Sequence, residues 1–285
     1  MTFLNYLELL KLRIGVVIAL TAVVGYLAVA ERVSAVQIVL LVLAMLMGSA
    51  ASSVFNHYYD RDIDRKMHRT ANRPMARDLL VHPTRVLWMA AALLVLGLSL
   101  ALFAFNSAVA LHLFLGSFFY GIVYTVWLKR RTWLNIVIGG AAGSFAVLAG
   151  AAAVNPQSWF LPMLLAIVLF LWTPSHFWSL AILLKDDYAK AGVPMLPVLV
   201  GEKRTAQSIL FNSLLLVGAS LLPWGLGLLG PTYGALAALS GAAFLWANLK
   251  LLQTPHDRRW ARINFFGSMQ HLLAIFIAII LDVHL

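Results

Sequence analysis

The chain has 285 residues, of which 62% are hydrophobic and only 11% are charged, and its mean hydropathy is +0.87. Soluble domains carry about 25% charged residues, so the composition excludes an ordinary soluble protein and predicts a polytopic membrane protein. The sequence contains no cysteine, which excludes disulfide bonds and thiolate metal sites. No small-residue cleavage motif follows a short apolar core near the start, so we expect no cleaved signal peptide.

Nine apolar stretches are long enough to cross a membrane, since about 20 apolar residues span the hydrocarbon core. The sequence therefore predicts an all-α protein with nine transmembrane helices joined alternately by very short and by long polar connections. The predicted spans are residues 14–30, 35–56, 86–105, 107–127, 134–153, 161–184, 208–229, 231–251 and 263–281.

Basic residues gather on one side of this predicted bundle. Of the 21 Lys and Arg residues, all except Arg32 lie in the N-terminal segment or near the loops after spans two, four, six and eight. Because positively charged loops stay in the cytoplasm, the N-terminus is predicted to be cytoplasmic and the C-terminus to be outside. The basic pI is then a topology signal, and no nucleic-acid partner is expected.

The second predicted span ends in an acidic motif. Asn56, Asp60 and Asp64 follow one another at intervals of four residues, so on a helix they project from nearly the same face. Carboxylates on one face repel each other unless a cation binds there, and Mg²⁺ prefers oxygen ligands of this kind, often together with substrate phosphates. The alternative is a solvated acidic helix end.

Three arginines continue this pattern. Arg65, Arg69 and Arg73 are again spaced by four residues. Acids that hold a metal ion, followed by guanidinium groups that take phosphate oxygens in bidentate pairs, suit a diphosphate site. Each arginine taken alone is also explained by the positive-inside rule.

A second polar loop follows span six and contains Lys185, Asp186, Asp187 and Lys190. These residues are candidates for a further metal ligand and for phosphate contacts, and the alternative is a helix end with its usual charges. The loop follows the sixth span as the acidic motif follows the second. That spacing suggests a four-helix periodicity, by which the two loops would converge over one cavity.

Histidines inside the predicted spans are the remaining candidates. His176 lies in span six beside Pro174, which is expected to bend the helix. Intramembrane ionisable residues are functional candidates by default, and the alternative is a histidine that pairs with a neighbouring helix. His57, His112 and His271 are less specific candidates for contact with a planar substrate or its metal.

The acidic motif together with Arg69-Thr-x-x-Arg73-Pro resembles the first aspartate motif of the UbiA superfamily of intramembrane prenyltransferases. Within that superfamily the chain is most similar to the haem-modifying branch, through His176-Phe177-Trp178 and the long run from Lys185 to Val198. The second loop lacks the Asp-x-x-x-Asp spacing that is common elsewhere in the superfamily. Phe145-Ala146-Val147-Leu148 stands where the family often has a Pro-Pro pair, in a segment that would line the cavity.

The resemblance implies a single UbiA-type membrane domain over residues 1–285, in the cell inner membrane among membrane lipids, with its active site facing the cytoplasm. It implies transfer of a farnesyl group from farnesyl diphosphate to a vinyl group of haem b, which gives haem O and diphosphate, with Mg²⁺ as cofactor. It also suggests haem A synthase as the acceptor of the product.

Site roles follow from the resemblance and the residue chemistry together. The predicted catalytic residues and Mg²⁺ ligands are Asn56, Asp60 and Asp64, with Asp187 as a further metal ligand. The predicted substrate contacts are Arg65, Arg69, Arg73, Lys129, His176, Lys185, Asp186, Asp187 and Lys190.

Two other functions remain open at the level of the sequence. One is a UbiA-type prenyltransferase whose acceptor is an aromatic acid such as 4-hydroxybenzoate or a naphthoate. The other is a secondary transporter, although transporter sites usually lie near the bilayer midplane, whereas these charges gather at one membrane face.

Overall fold

The computed structural model describes residues 3–78 and 84–284, and within these residues it contains helices and turns but no strand. One helical segment, Phe119–Leu128, is a π-helix that directly continues α6. The α-helices are α1 (Phe3–Leu9), α2 (Leu12–Leu27), α3 (Ala35–Tyr59), α4 (Arg61–Asp64), α5 (Arg85–Ala104), α6 (Ser107–Phe118), α7 (Asn135–Gly139), α8 (Ala141–Val154), α9 (Phe160–Leu183), α10 (Lys185–Lys190), α11 (Leu196–Gly225), α12 (Pro231–Gln253) and α13 (Arg258–His284).

The protein is a multi-pass membrane protein. Among the described residues, eight helical segments are both long enough and apolar enough to cross a bilayer. They correspond to predicted spans two to nine. The helix α2, which has 16 residues, occupies the place of the first predicted span and is shorter than the others. The count of nine spans and the orientation of the termini stay predictions.

Two connections on the side opposite the acidic motif are fixed by side chains. Asn106 caps α6, since its Oδ1 accepts a hydrogen bond from the Val109 N–H at 3.0 Å and its Nδ2 donates to the Ala152 carbonyl at 2.8 Å. Asp282 near the end of α13 accepts hydrogen bonds from the N–H groups of Gly230 and Tyr233, at the start of α12. These contacts satisfy helix-end donors that would otherwise lie unpaired near the membrane.

The helix α11 begins twelve residues before the predicted seventh span, at Leu196 rather than at 208. The difference arises at Gly201, whose φ of 77° and ψ of 173° place a kink inside the helix. The charged residues Glu202, Lys203 and Arg204 follow this glycine and separate the apolar first turn of α11 from the apolar span. Hydropathy alone therefore excluded the first turns.

Small residues bring α2 and α8 into backbone contact. A Cβ atom added to Gly150 would lie 1.8 Å from the Ala22 carbonyl oxygen, and one added to Gly25 would lie 2.1 Å from the Val147 carbonyl oxygen. Close approach of this kind is how membrane helices gain packing energy without a hydrophobic driving force between them. The pair forms one wall of the cavity described below.

Candidate active site

The acidic motif lies at the junction of α3 and α4. The helical course continues through the junction, because the Asp60 N–H donates to the Asn56 carbonyl at 2.9 Å and the Asp64 N–H donates to the Asp60 carbonyl at 2.8 Å. The three side chains consequently form one file, as their spacing predicts. They are only 2%, 0% and 2% exposed, in chain order. The Asn56 amide also donates to Asp60 Oδ2 at 2.7 Å.

Each member of this file is contacted by a cation. Lys129 forms a salt bridge with Asp60, Arg73 donates to Asp64 Oδ2 at 2.8 Å, and the Lys11 ammonium donates to Asn56 Oδ1 at 2.8 Å. Buried charges require such partners, since an unpaired one is strongly destabilising. Burial, together with the nearby Arg73 and Lys129 cations, lowers the pKa of Lys11 to about 7.

Arg130 joins the file to its exposed neighbour Asp62. Its two terminal nitrogens donate to the two oxygens of Asp62, both at 2.7 Å, and one of them also reaches the Tyr59 carbonyl at 2.9 Å and Asp60 Oδ1 at 3.4 Å. The hydrogen bonds from Arg130 lower the pKa of Asp62. Asp62 thus lies away from the buried file and anchors a guanidinium group at its edge.

The π-helix Phe119–Leu128 supplies the wall opposite the file. Its widened turn lets the Thr125 hydroxyl donate to the Tyr120 carbonyl, five residues earlier, at 2.8 Å. The same hydroxyl accepts a hydrogen bond from the Asn56 amide at 3.1 Å. The turn also sets the rings of Tyr120 and Tyr124 in a stack, with centroids 5.7 Å apart. Short π-helical segments are frequent at functional sites.

The second polar loop meets the first. The Arg69 N–H donates to Asp187 Oδ2 at 3.2 Å, across 118 residues of sequence. An apolar cluster fastens the two loops together, and it contains Ile63 and Met67 from the first loop with Tyr188, Val193 and Met195 from the second. The expected convergence of the loops is therefore present in the structure.

Other predicted contact residues lie outside this arrangement. Arg65 forms a salt bridge with Asp78, and Lys185 lies 3.6 Å from Glu202, so both cations face partners away from the acidic file. Asp186 and Lys190 are exposed on α10. The segment from Arg65 to Arg73 is a series of turns rather than a helix, so its spacing of four does not create a single arginine face.

His176 is enclosed by aromatic rings inside α9. Its ring stacks on Trp172 and on Phe265, with centroids 4.3 Å away in each case, and its Nδ1 lies 2.8 Å from the Ser268 hydroxyl. The helix α9 ends at Leu183, and α10 starts anew at Lys185. The second loop therefore begins with a new helix rather than with a continuation of α9.

Two of the other inner histidines, His57 and His271, differ in their partners. His271 Nδ1 lies 2.9 Å from the Ser240 hydroxyl on α12. His57 is 1% exposed, and neither of its ring nitrogens has a hydrogen-bond partner among the described residues. Among the described residues, neither histidine forms a hydrogen bond with a side chain of the acidic file.

An apolar cavity lies between α2, α3, α6 and α8. Tyr120 joins this cavity to the polar file, since its ring lines the cavity and its hydroxyl lies 3.4 Å from the Lys11 ammonium. Phe145 and Ala146 line the wall, as the sequence comparison with the superfamily predicted. Charge at the mouth and apolar walls below suit a substrate with an anionic head and a hydrocarbon tail.

The donor set at the mouth fits Mg²⁺. No group of three His, Cys, Asp or Glu side chains that could hold a metal by itself occurs in residues 3–78 and 84–284. The file instead offers two carboxylates and one amide, all hard oxygen donors. Mg²⁺ is commonly bound by one or two carboxylates together with water and substrate phosphates, so Asp60, Asp64 and Asn56 are the residues that would hold it.

Sequence reasoning missed several residues of the site: Lys11, Tyr120, Thr125 and Arg130. Lys11 and Arg130 are cations near the ends of apolar spans, where the positive-inside rule already offers an explanation for them. Thr125 and Tyr120 could have been noticed as polar groups within an apolar span. The π-helical turn that aligns them could not be predicted from the sequence.

Comparison with known proteins identifies the family. The model of the UbiA prenyltransferase family matches residues 17–270. The chain belongs to the UbiA prenyltransferase family. Protoheme IX farnesyltransferase 1 of Paramagnetospirillum magneticum is 63% identical over 284 residues, with 100% of each chain covered. Protoheme IX farnesyltransferase of Acidiphilium cryptum is 40% identical, with 98% of this chain and 90% of that one covered.

Solved structures of UbiA proteins share the fold. A digeranylgeranylglyceryl phosphate synthase superposes with a TM-score of 0.81 at 23% identity, over 98% of this chain and 97% of that one. A UbiA homolog from Archaeoglobus fulgidus bound to DMAPP and Mg²⁺ superposes with a TM-score of 0.70 at 21% identity, over 95% of this chain and 99% of that one. The UbiA-type bundle predicted from the sequence is confirmed.

Proposed function

We propose that this UbiA-family protein is a protoheme IX farnesyltransferase, which transfers the farnesyl group of farnesyl diphosphate to a vinyl group of haem b and so makes haem O. The observation that carries the prenyl-transfer part is the buried file of Asn56, Asp60 and Asp64, surrounded by cations at the mouth of an apolar cavity. The acceptor is supported by relatives of that name that are up to 63% identical over the whole chain.

The diphosphate would bind where the cations already lie. Mg²⁺ bound by the acidic file would supply positive charge to the phosphate oxygens. Lys129 and Arg73 neutralise Asp60 and Asp64 in the structure. With a metal on those carboxylates, the Lys129 and Arg73 side chains would be free to donate hydrogen bonds to the phosphate oxygens. Arg69 of the first loop, whose backbone N–H donates to Asp187 of the second loop, would close the site.

The reaction breaks the allylic C–O bond, and both electrons leave with the diphosphate. The cations that hold the diphosphate stabilise this developing negative charge in a buried, preorganised site. The faces of Tyr120 and Tyr124 lie beside the ammonium groups of Lys11 and Lys129, at 6.0 and 5.8 Å from the ring centroids, and would stabilise the allylic cation in the same way.

The vinyl group of haem b then supplies the electron pair for the new C–C bond. The resulting cation takes a hydroxide from water, which releases one proton and completes the hydroxyethylfarnesyl group. The apolar cavity keeps water from the allylic cation before the C–C bond forms.

We assign the haem contact to His176, whose ring is already held between two aromatic rings. Lys185, Asp186, Asp187 and Lys190 are proposed to border the haem side of the site, because α10 follows α9 directly. The active site is proposed to face the cytoplasm from the cell inner membrane, with the chain acting as one domain, residues 1–285. Haem A synthase is the proposed acceptor of the product.

One experiment tests the acceptor and the metal together. The purified protein in lipid nanodiscs receives labelled farnesyl diphosphate with haem b, 4-hydroxybenzoate or a naphthoate, with Mg²⁺ or with EDTA. We expect Mg²⁺-dependent label on haem alone. Label on an aromatic acid and none on haem would refute the acceptor, and transport of the diphosphate across vesicles without its cleavage would refute the enzyme class.

A further inference from the structure

The apolar cavity holds a pair of stacked rings. Phe145 on α8 and His112 on α6 face each other with centroids 6.2 Å apart and planes 27° apart. Phe145 also packs against Phe119, whose centroid is 5.2 Å away. The rings of Phe145 and His112 both line the cavity. Aromatic rings in such a set hold one another in place, so this wall is stiffer than one made of aliphatic side chains.

The His112 ring lies at the far end of the cavity from the acidic file, and the Phe145 ring lies nearer the mouth, between His112 and Phe119. On α6 and the π-helix, the lining residues run from Tyr120 at the mouth to His112, eight residues away. On α3 they run from Ser53, next to the acidic motif, to Met45, also eight residues away. At the helical rise, both walls give a depth of about 12 Å. On α8, Phe145 lies one turn deeper than Ala142.

The His112 ring adds a polar limit to this floor. Its Nδ1 is buried and has no hydrogen-bond partner in the described part of the chain. A hydrocarbon chain that continued past Phe145 would lie against this nitrogen and keep it from any partner, which is unfavourable for a polar group. The floor therefore combines a steric limit with a polar one.

We propose that Phe145, held in place by the His112 ring, selects the length of the isoprenoid and favours the three units of farnesyl diphosphate over the four of geranylgeranyl diphosphate. This inference rests on the proposed prenyl transfer, and it names the residue that decides the prenyl donor. Removing the Phe145 ring would lengthen the cavity. Enlarging Ala142, which lies one turn closer to the mouth, would shorten it.

The test compares geranyl, farnesyl and geranylgeranyl diphosphates with haem b as acceptor, and measures kcat/KM for each from the mass of the prenylated haem. Phe145→Ala should increase the geranylgeranyl-to-farnesyl ratio by at least about tenfold, because even single methylenes change such ratios by that much. His112→Ala should increase it less. Ala142→Leu should shift the preference toward geranyl diphosphate. Phe114→Ala, on the same helix as His112 but lining the groove beside α5 and not the cavity, should leave the ratios unchanged.

The outcomes separate this inference from the proposed function. If the wild-type protein prenylates haem with none of the three donors, the proposed function is wrong. If the wild type makes haem O but Phe145→Ala keeps its length preference, the floor assignment is wrong. If Phe145→Ala does not fold, Phe145→Leu and Ala142→Leu test the inference instead. Changes of the length preference in opposite directions support the role of Phe145, and changes in the same direction contradict it.

Discussion

The replacement of Asp60 by asparagine separates the chemistry of the site from its stability. Asp60 is fully buried and accepts hydrogen bonds from Asn56, Lys129 and Arg130. Asparagine has nearly the same volume, so Asp60→Asn removes a charge without opening a cavity. We expect farnesyl transfer to fall by about 10²–10³-fold, the usual effect of losing one preorganised group that stabilises transition-state charge.

The same change leaves Lys129 buried beside a neutral amide. Lys129 is only 9% exposed, and breaking a buried ion pair on one side costs about 3–5 kcal/mol. The partly exposed Arg130 beside Asp60 reduces this cost, so about 2–3 kcal/mol is the expected loss. The double variant Asp60→Asn, Lys129→Met removes both charges and should regain most of the stability while transfer stays lost.

Transfer is measured as labelled haem O formation, and stability as the thermal unfolding midpoint in nanodiscs without substrate. Lys185→Met is the matched control for the stability measurement alone, because it also removes a lysine that has an acidic partner, but at the more exposed pair with Glu202. The reasoning is refuted if Asp60→Asn keeps more than about a tenth of Mg²⁺-dependent transfer. It is equally refuted if the double variant unfolds at a lower temperature than the single one.

Three further changes test other parts of the structure. Gly150→Ala should lower the unfolding midpoint, at a cost of about 1–3 kcal/mol, because its Cβ would meet the Ala22 carbonyl, whereas Gly143→Ala on the same helix meets nothing within 4 Å and should not. Thr125→Val should raise the Mg²⁺ concentration needed for half-maximal transfer, because it frees the Asn56 amide to rotate, and an unchanged Mg²⁺ titration would contradict this. Arg73→Gln should raise the KM for farnesyl diphosphate about tenfold or more, whereas Lys185→Gln should leave it within about twofold because Lys185 faces Glu202.

The acidic file could be predicted from the sequence because its geometry is local. Asn56 and Asp64 are only eight residues apart, and the helical repeat alone places their side chains on one face. The partners of the file are not local. Lys11 precedes Asn56 by 45 residues, and Lys129 follows Asp60 by 69. A spacing rule cannot identify such pairs, because they depend on how the helices pack.

The second loop shows the limit of reading charges in order. Lys185 and Asp187 are two residues apart, and the sequence makes both of them candidates for the same site. In the structure, however, Asp187 contacts Arg69 and Lys185 contacts Glu202. The division follows from α10, which sets adjacent side chains on different faces, and from the kink at Gly201, which places Glu202. Neither could be predicted from hydropathy, whereas the apolar spans themselves could.

The cations around the file also explain how the site can exist before substrate binds. Three carboxylates within five residues would repel each other, and Lys129, Arg73 and Arg130 neutralise them in the structure. A metal ion that arrived alone would displace these cations and place more positive charge in a buried site. A diphosphate that arrived alone would lie beside carboxylates. If both arrived together, the carboxylates would hold the metal and the released side chains would bind the diphosphate, so each buried charge would keep a partner. The arrangement therefore favours binding of the metal and the diphosphate as one unit.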